Sequence, residues 1–135
     1  MRKILFRGKA EESGLWLYGD LRQWSDDRKG IYSYKIHRTR GVIPETVGQY
    51  TGLTDKNGTR IFEGDIVRHH NGDPDAAVEK GKVYWDERSC GWRRTSNGAF
   101  HHGVVDTYKM SHECVYEVIG NIHDNPELLG GGEDA

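Results

Sequence analysis

A chain of 135 residues fits one compact domain, or one small domain carrying an elaborated arm, and excludes two large independent domains. Nineteen Lys and Arg stand against 21 Asp and Glu, a net charge of −2 that lacks the overall positive excess typical of a nucleic-acid binder. No apolar run approaches the ~18 residues needed to cross a bilayer, and the opening MRKILFRGKAEES turns charged before a signal-peptide core forms, so a cytoplasmic protein without membrane association is expected.

Hydrophobic residues make up only 35% of the chain, yet four Trp, seven Tyr and three Phe are present, which predicts a core built on a few large rings and favours β structure. Eighteen glycines and three prolines cut the sequence into short segments of the kind found in β-meanders and small barrels. Charge is unevenly spread. Residues 1–48 hold ten basic and six acidic side chains (net +4), and residues 49–135 hold nine and fifteen (net −6). That asymmetry predicts either a basic contact surface in the N-terminal part or attraction between the two parts in an assembly. Cys90 and Cys114 lack C-x-x-C spacing and read as ordinary thiols of a reducing compartment.

Taken in chain order, the apolar-rich runs 3–9 and 15–21, joined by Glu11, Glu12, Ser13 and Gly14, predict a first β-hairpin. Residues 25–30 form a charged loop. Tyr32, Tyr34 and Ile36 alternate with Ser33, Lys35 and His37, which predicts a strand over 32–37 with its rings on one face. Asn57 and Gly58 within 53–61 supply the positive φ angles of a tight reversal. A strand over 65–70 ends at Asn71, Gly72, Asp73 and Pro74, in a loop reaching Ala77. Strands 82–85 and 91–94 flank a charged turn, a third over 99–105 follows Asn97 and Gly98, and 115–122 is the last β segment. Pro126 opens a single helical turn to Leu129, and residues 130–135 read as a disordered acidic tail.

Chemistry is harder to find. His69 and His70, His101 and His102, His112 and Cys114 are zinc-type ligands by residue type. Adjacent histidines on a strand point to opposite faces, however, and no H-E-x-x-H or C-x-x-C occurs, so neither metal nor cofactor is expected. Nucleophile, phosphate-loop and dinucleotide motifs are also missing from the sequence, and no catalytic residue is assigned. Trp85, Arg88, Trp92, Arg93 and Arg94, close to Tyr84, combine flat rings with guanidinium groups. Such side chains suit a binding surface for bases and phosphates or for a protein partner, and strand tryptophans equally suit a core.

Three passages, RKILFRGKA at 2–10, QYTGLTDKNGTRIFEGDIV at 49–67 and YEVIGNIHDNPELL at 116–129, resemble the YopX family of phage and prophage proteins. The resemblance implies an SH3-like small barrel over 50–129, preceded by an N-terminal β arm or subdomain over 1–49. It implies no chemistry. Read as residues, Gly52, Gly58, Gly64 and Gly120 mark turns, bulges or close backbone approaches. Polar groups in 49–51 and 63–65 cap neighbouring backbone amides, with Glu63 and Asp65 as an acid–base pair the alternative, and Gln49, Tyr50, Asn57, Glu63, Asp65 and Asn121 are assigned with the glycines to a structural motif. The expected function is a noncatalytic interaction module, a homo-oligomer binding a phage or host protein. A nucleic-acid-associated accessory protein and a hydrolytic or metal-dependent enzyme using Glu63, Asp65 and nearby histidines are the alternatives.

Overall fold

The computed structural model describes residues 2–69, 79–95, 107–109 and 116–129, nearly all of them in antiparallel strands and their turns. The chain divides into two compact units, Met1–Gly52 and Leu53–Ala135. Residues 49–52 are uncharged, so the division coincides with the charge boundary, and the first unit carries +4 and the second −6.

The first unit contains β1 (Phe6–Lys9), β2 (Trp16–Gln23), β3 (Lys29–Ser33), β4 (Arg38–Val42) and β5 (Gly48–Thr54), in the spatial order β4-β3-β2-β1-β5. The expected first hairpin is present, with Arg7 opposite Tyr18 and Lys9 opposite Trp16. Its turn closes by Gly14 N–H donating to Ala10 O at 2.9 Å, with Gly14 at φ +73°, a conformation that suits a residue without Cβ. The sheet curls until Ala10 bridges Val42, and Ile43 N–H donates to Lys9 O at 2.9 Å. Gly8 allows that approach, since a Cβ there would lie 3.1 Å from the Val42 side chain. Ile31, Ser33 and Val42 are buried on the inner face.

One predicted strand is shorter than its alternation suggests. β3 stops at Ser33, and residues 34–37 form a turn instead. The buried Ser33 hydroxyl accepts from the N–H groups of Lys35 and Ile36 at 3.3 Å each, and Ser33 O accepts from His37 N–H at 2.8 Å. A serine that captures the following amides takes them from the ladder. The predicted loop 25–30 is trimmed in turn, because Lys29 and Gly30 belong to β3.

Past Gly52, which has φ +91°, β5 reverses into β6 (Arg60–Phe62). The second unit continues with β7 (Asp65–His69), β8 (Glu79–Asp86), β9 (Gly91–Thr95), β10 (Thr107–Lys109) and β11 (Tyr116–Asn121), ordered β10-β9-β8-β7-β11. Ile61, Val67, Val83 and Tyr116 form its core, with Leu53, Trp92 and Val118 packed against them. The composition predicts rings in the core, but the fully buried apolar side chains are mostly Ile, Val and Leu, while Tyr18, Trp24, Tyr32, Tyr34 and Trp85 are exposed. β-Branched side chains fill most of the narrow space over a pleated sheet, and of the rings Phe62 and Tyr116 are buried with them. Neither sheet closes into a barrel among the described residues. The predicted strand 99–105, the turn at Asn97 and Gly98, the loop 71–77 and the tail 130–135 lie outside the described residues. No helix among the described residues is long and apolar enough to cross a membrane.

Candidate functional site

The five residues singled out as a binding set all lie on or beside the β8–β9 hairpin, yet they do not share a surface. Trp85 pairs with Trp92 and Val83 with Arg94, so these four side chains lie on one face, while Arg93, opposite Tyr84, lies on the other. The two tryptophans meet edge to face with centroids 5.1 Å apart. Trp92 packs on the core and Trp85 is 41% exposed. Arg94 is only 2% exposed, with Nε donating to the Tyr116 hydroxyl at 3.1 Å and its guanidinium carbon 5.5 Å from that ring. A guanidinium so enclosed orders the core side of the hairpin rather than meeting a partner.

Arg88 and Arg93 belong to the exposed turn built on Asp86. The Ser89 hydroxyl donates to Asp86 Oδ2 at 2.9 Å, the Arg88 amide donates to Oδ1 at 3.1 Å, and Arg93 Nε lies 2.9 Å from Oδ2. Chiefly through the Ser89 bond, these contacts hold the Asp86 carboxyl below its usual range. A depressed folded-state value means that the turn's stabilisation is present above the unfolded carboxylate pKa of about 3.9 and is lost as pH falls through the lower folded value. In an NMR pH titration, Asp86 should therefore have a midpoint below that of an unstructured aspartate. Ser89→Ala should move the midpoint upward, and an unmoved midpoint would show that the hydroxyl is not the cause.

The family-like segments place their polar groups on the backbone. Asp55 Oδ1 accepts from the amides of Asn57 and Thr59, each at 2.8 Å, and Oδ2 accepts from Val118 N–H at 3.0 Å. Lys56 N–H donates to Tyr116 O at 2.9 Å, so the turn between β5 and β6 is tied to β11. Gly58, at φ +83°, completes the turn; Asn57 does not adopt positive φ. Asp65, 2% exposed, accepts from Phe62 N–H at 2.7 Å across the turn holding Glu63 and Gly64. Gly64, at φ +90°, donates to Val83 O and accepts from Ile122 N–H, both at 2.9 Å. Gly120 sits at the register shift of β11, and Asn121 Oδ1 accepts from the amides of His123 and Asp124 at 3.0 and 2.9 Å. In the first unit, Gln49 pairs with Phe6 and Tyr50 N–H donates to Leu5 O at 2.8 Å. Asp55 is the residue that sequence analysis passes over; its place at the head of D-K-N-G was the signal, since Asp there accepts amides two and four residues on.

Among the described residues no group of three or more His, Cys, Asp or Glu side chains is placed to hold a metal ion. His70, His101, His102, His112 and Cys114 lie outside the described residues.

Among the described residues, most of the exposed large apolar side chains belong to the first unit, and two groups of them stand out. A hollow of about 280 Å³ opens between the β1–β2 turn and β4, lined by Leu15, Leu17 and Ile36 together with Glu11, Glu12 and Arg40. Leu15 is 68% exposed and Ile36 42%, a large apolar cost to leave in water. The second group lies on the outer face of β2 and β3, which carries Trp16, Tyr18 and Tyr32, with Tyr34 just beyond β3 and Trp24 just beyond β2.

These features define a mainly β chain of two antiparallel units, with backbone-capping carboxylates in the second and exposed apolar surface on the first. The chain belongs to the YopX protein family, whose model matches residues 5–130. It is similar to the crystal structure of protein EF1440 from Enterococcus faecalis, with a TM-score of 0.47 and 23% identity over 96% of this chain and 99% of that one. Comparison with curated proteins gives no match.

Proposed function

We propose that the chain is a noncatalytic interaction module of the cytoplasm that self-associates and through the same surface engages a phage or host protein. The observation that carries this reading is the hollow at Leu15 and Ile36, an apolar recess beside side chains that remain in water. A second copy is the occupant favoured by charge, since a first unit at +4 attracts a second unit at −6. Trp85 is the large hydrophobic side chain exposed on the second unit among the described residues, and we place it in the hollow of the next copy. Such a contact is head to tail, joining different patches on the two copies. The second unit is read as an SH3-like small barrel, supported by its short meandering strands β7 to β10 and the register shift in β11.

Sedimentation velocity tests the contact. Wild type should associate as concentration rises, and Leu15→Asp and Trp85→Asp should each be monomeric alone. Mixed together, the two variants should form a dimer, because each retains the patch the other lacks. A wild type that stays monomeric, or a mixture that stays monomeric while wild type associates, would reject the head-to-tail contact.

A further inference from the structure

We propose that the outer face of β2 and β3 is a binding platform for single-stranded nucleic acid, a site separate from the hollow and independent of the self-association proposed above. Alternation along β2 puts Trp16, Tyr18, Asp20 and Arg22 on one face, and the pairings of Arg7 with Tyr18, Lys9 with Trp16 and Asp20 with Tyr32 add neighbours to that same face. Tyr18, Tyr32, Tyr34 and Trp24 are all exposed there. From Trp16 to Trp24 the row of rings runs on the order of 26 Å at the usual rise of a strand. The tyrosines are held in place: Tyr32 and Tyr34 meet edge to face at 6.3 Å, and the Tyr34 hydroxyl donates to Asp20. Trp24 lies against Gly30, where a Cβ would come 2.9 Å from the ring, so the glycine leaves room for the indole.

Cations stand at both ends of the row. Lys9 lies 5.7 Å from the centre of the Trp16 ring, and Arg22 and Arg28 lie 5.9 and 5.5 Å from that of Trp24. Arg7, 4.6 Å from the Trp16 ring but only 6% exposed, positions that ring, so Lys9 and the exposed Arg22 are the cations that can meet a phosphate. Of the acids on this surface, Asp20 accepts from Tyr34 and Asp26 holds Arg28 at 2.9 Å, so each carboxylate is engaged locally. Rings flanked by cations on a unit of net charge +4 match the two demands of a single strand, stacking for its bases and neutralisation for its phosphates. A duplex keeps its base faces covered and gains nothing from the rings. A protein partner would find Tyr, Trp and Arg equally useful, but the cations at the ends of the row, on a unit of net charge +4, favour a polyanion.

The test is a fluorescence-anisotropy titration of labelled oligothymidylate with the full chain at low salt. Saturable binding is expected, weakening with salt by a log–log slope of about −0.7 per phosphate contacted. Tyr18→Ala and Tyr32→Ala, both at exposed positions, should each weaken binding roughly 5- to 100-fold. Arg22→Glu should weaken it and flatten the salt dependence, whereas Lys56→Glu, an equal charge change on the second unit, should leave it unchanged. No binding at low salt, tyrosine variants that bind as wild type, an equal loss with Lys56→Glu, or duplex competing as well as single strand would each overturn the proposal. Capture of polyglutamate without oligothymidylate would overturn it in favour of an acidic protein partner. Oligonucleotide binding is read by anisotropy and self-association by sedimentation, so either proposal can fail alone.

Discussion

Replacing Asp55 with alanine is expected to lower the free energy of unfolding by about 3 kcal/mol, a large share of what a small domain has. The carboxylate is buried and accepts three backbone amides, two from its own turn at Asn57 and Thr59 and one from Val118 on β11. Bonds to a charged acceptor contribute more than neutral ones, and an amide left without its acceptor adds its own desolvation cost. The Val118 amide matters most, because the bond spans 63 positions of sequence and ties the β5–β6 turn to the last strand. Asp55→Asn should fall between wild type and alanine, since one side-chain oxygen remains and the amide nitrogen cannot accept. Urea denaturation followed by fluorescence would measure this, and a shift below about 1 kcal/mol for the alanine variant would show that water replaces the carboxylate without loss.

What the sequence made legible is the part of the fold decided within a few residues. The β1–β2 hairpin, β7, the β8–β9 hairpin, β11 and the final turn at Pro126 were readable because alternation and turn residues lie side by side. The Tyr32, Tyr34, Ile36 alternation misled for a physical reason: Ser33, buried beneath it, draws the next amides into a turn. β4 left no trace in advance, since Arg38, Thr39, Arg40 and Gly41 precede its one buried apolar residue, Val42. The Trp85 to Arg94 set shows the converse. Adjacency in sequence suggested one surface, but Trp92 and Arg93, as neighbours on a strand, must face opposite ways. The aromatic face of the first unit depends on β2 pairing with β3 at Asp20 and Tyr32, a register that no local signal specifies.

The second large loss is expected from Gly81→Ala, at about 3 kcal/mol or more. Gly81 is opposite Val67 in β7, and a Cβ added to it would come 1.8 Å from the carbonyl oxygen of Thr95 at the end of β9. That oxygen is backbone and accepts from Arg94 Nη1 at 3.2 Å, while the Thr95 hydroxyl accepts from Lys82 N–H at 3.1 Å. Thr95 is wholly buried, so it cannot swing aside as an exposed chain end would. Making room for one methyl means lifting the end of β9, which strains the Lys82 bond and draws Arg94 away from Tyr116. Gly120→Ala is the instructive comparison, because its Cβ would meet only side-chain ends, Asn125 Oδ1 at 2.6 Å and Leu128 Cδ1 at 2.9 Å. Those ends can move at the cost of the 3.3 Å bond that Asn125 Oδ1 accepts from Asn121 N–H, with no strand displaced, so the loss should be smaller, about 1 to 2 kcal/mol. Equilibrium unfolding of the two variants side by side separates backbone collision from side-chain crowding. Equal losses would mean that β9 yields as readily as a side chain, and the close approach of Thr95 to Gly81 would then contribute little to holding the sheet.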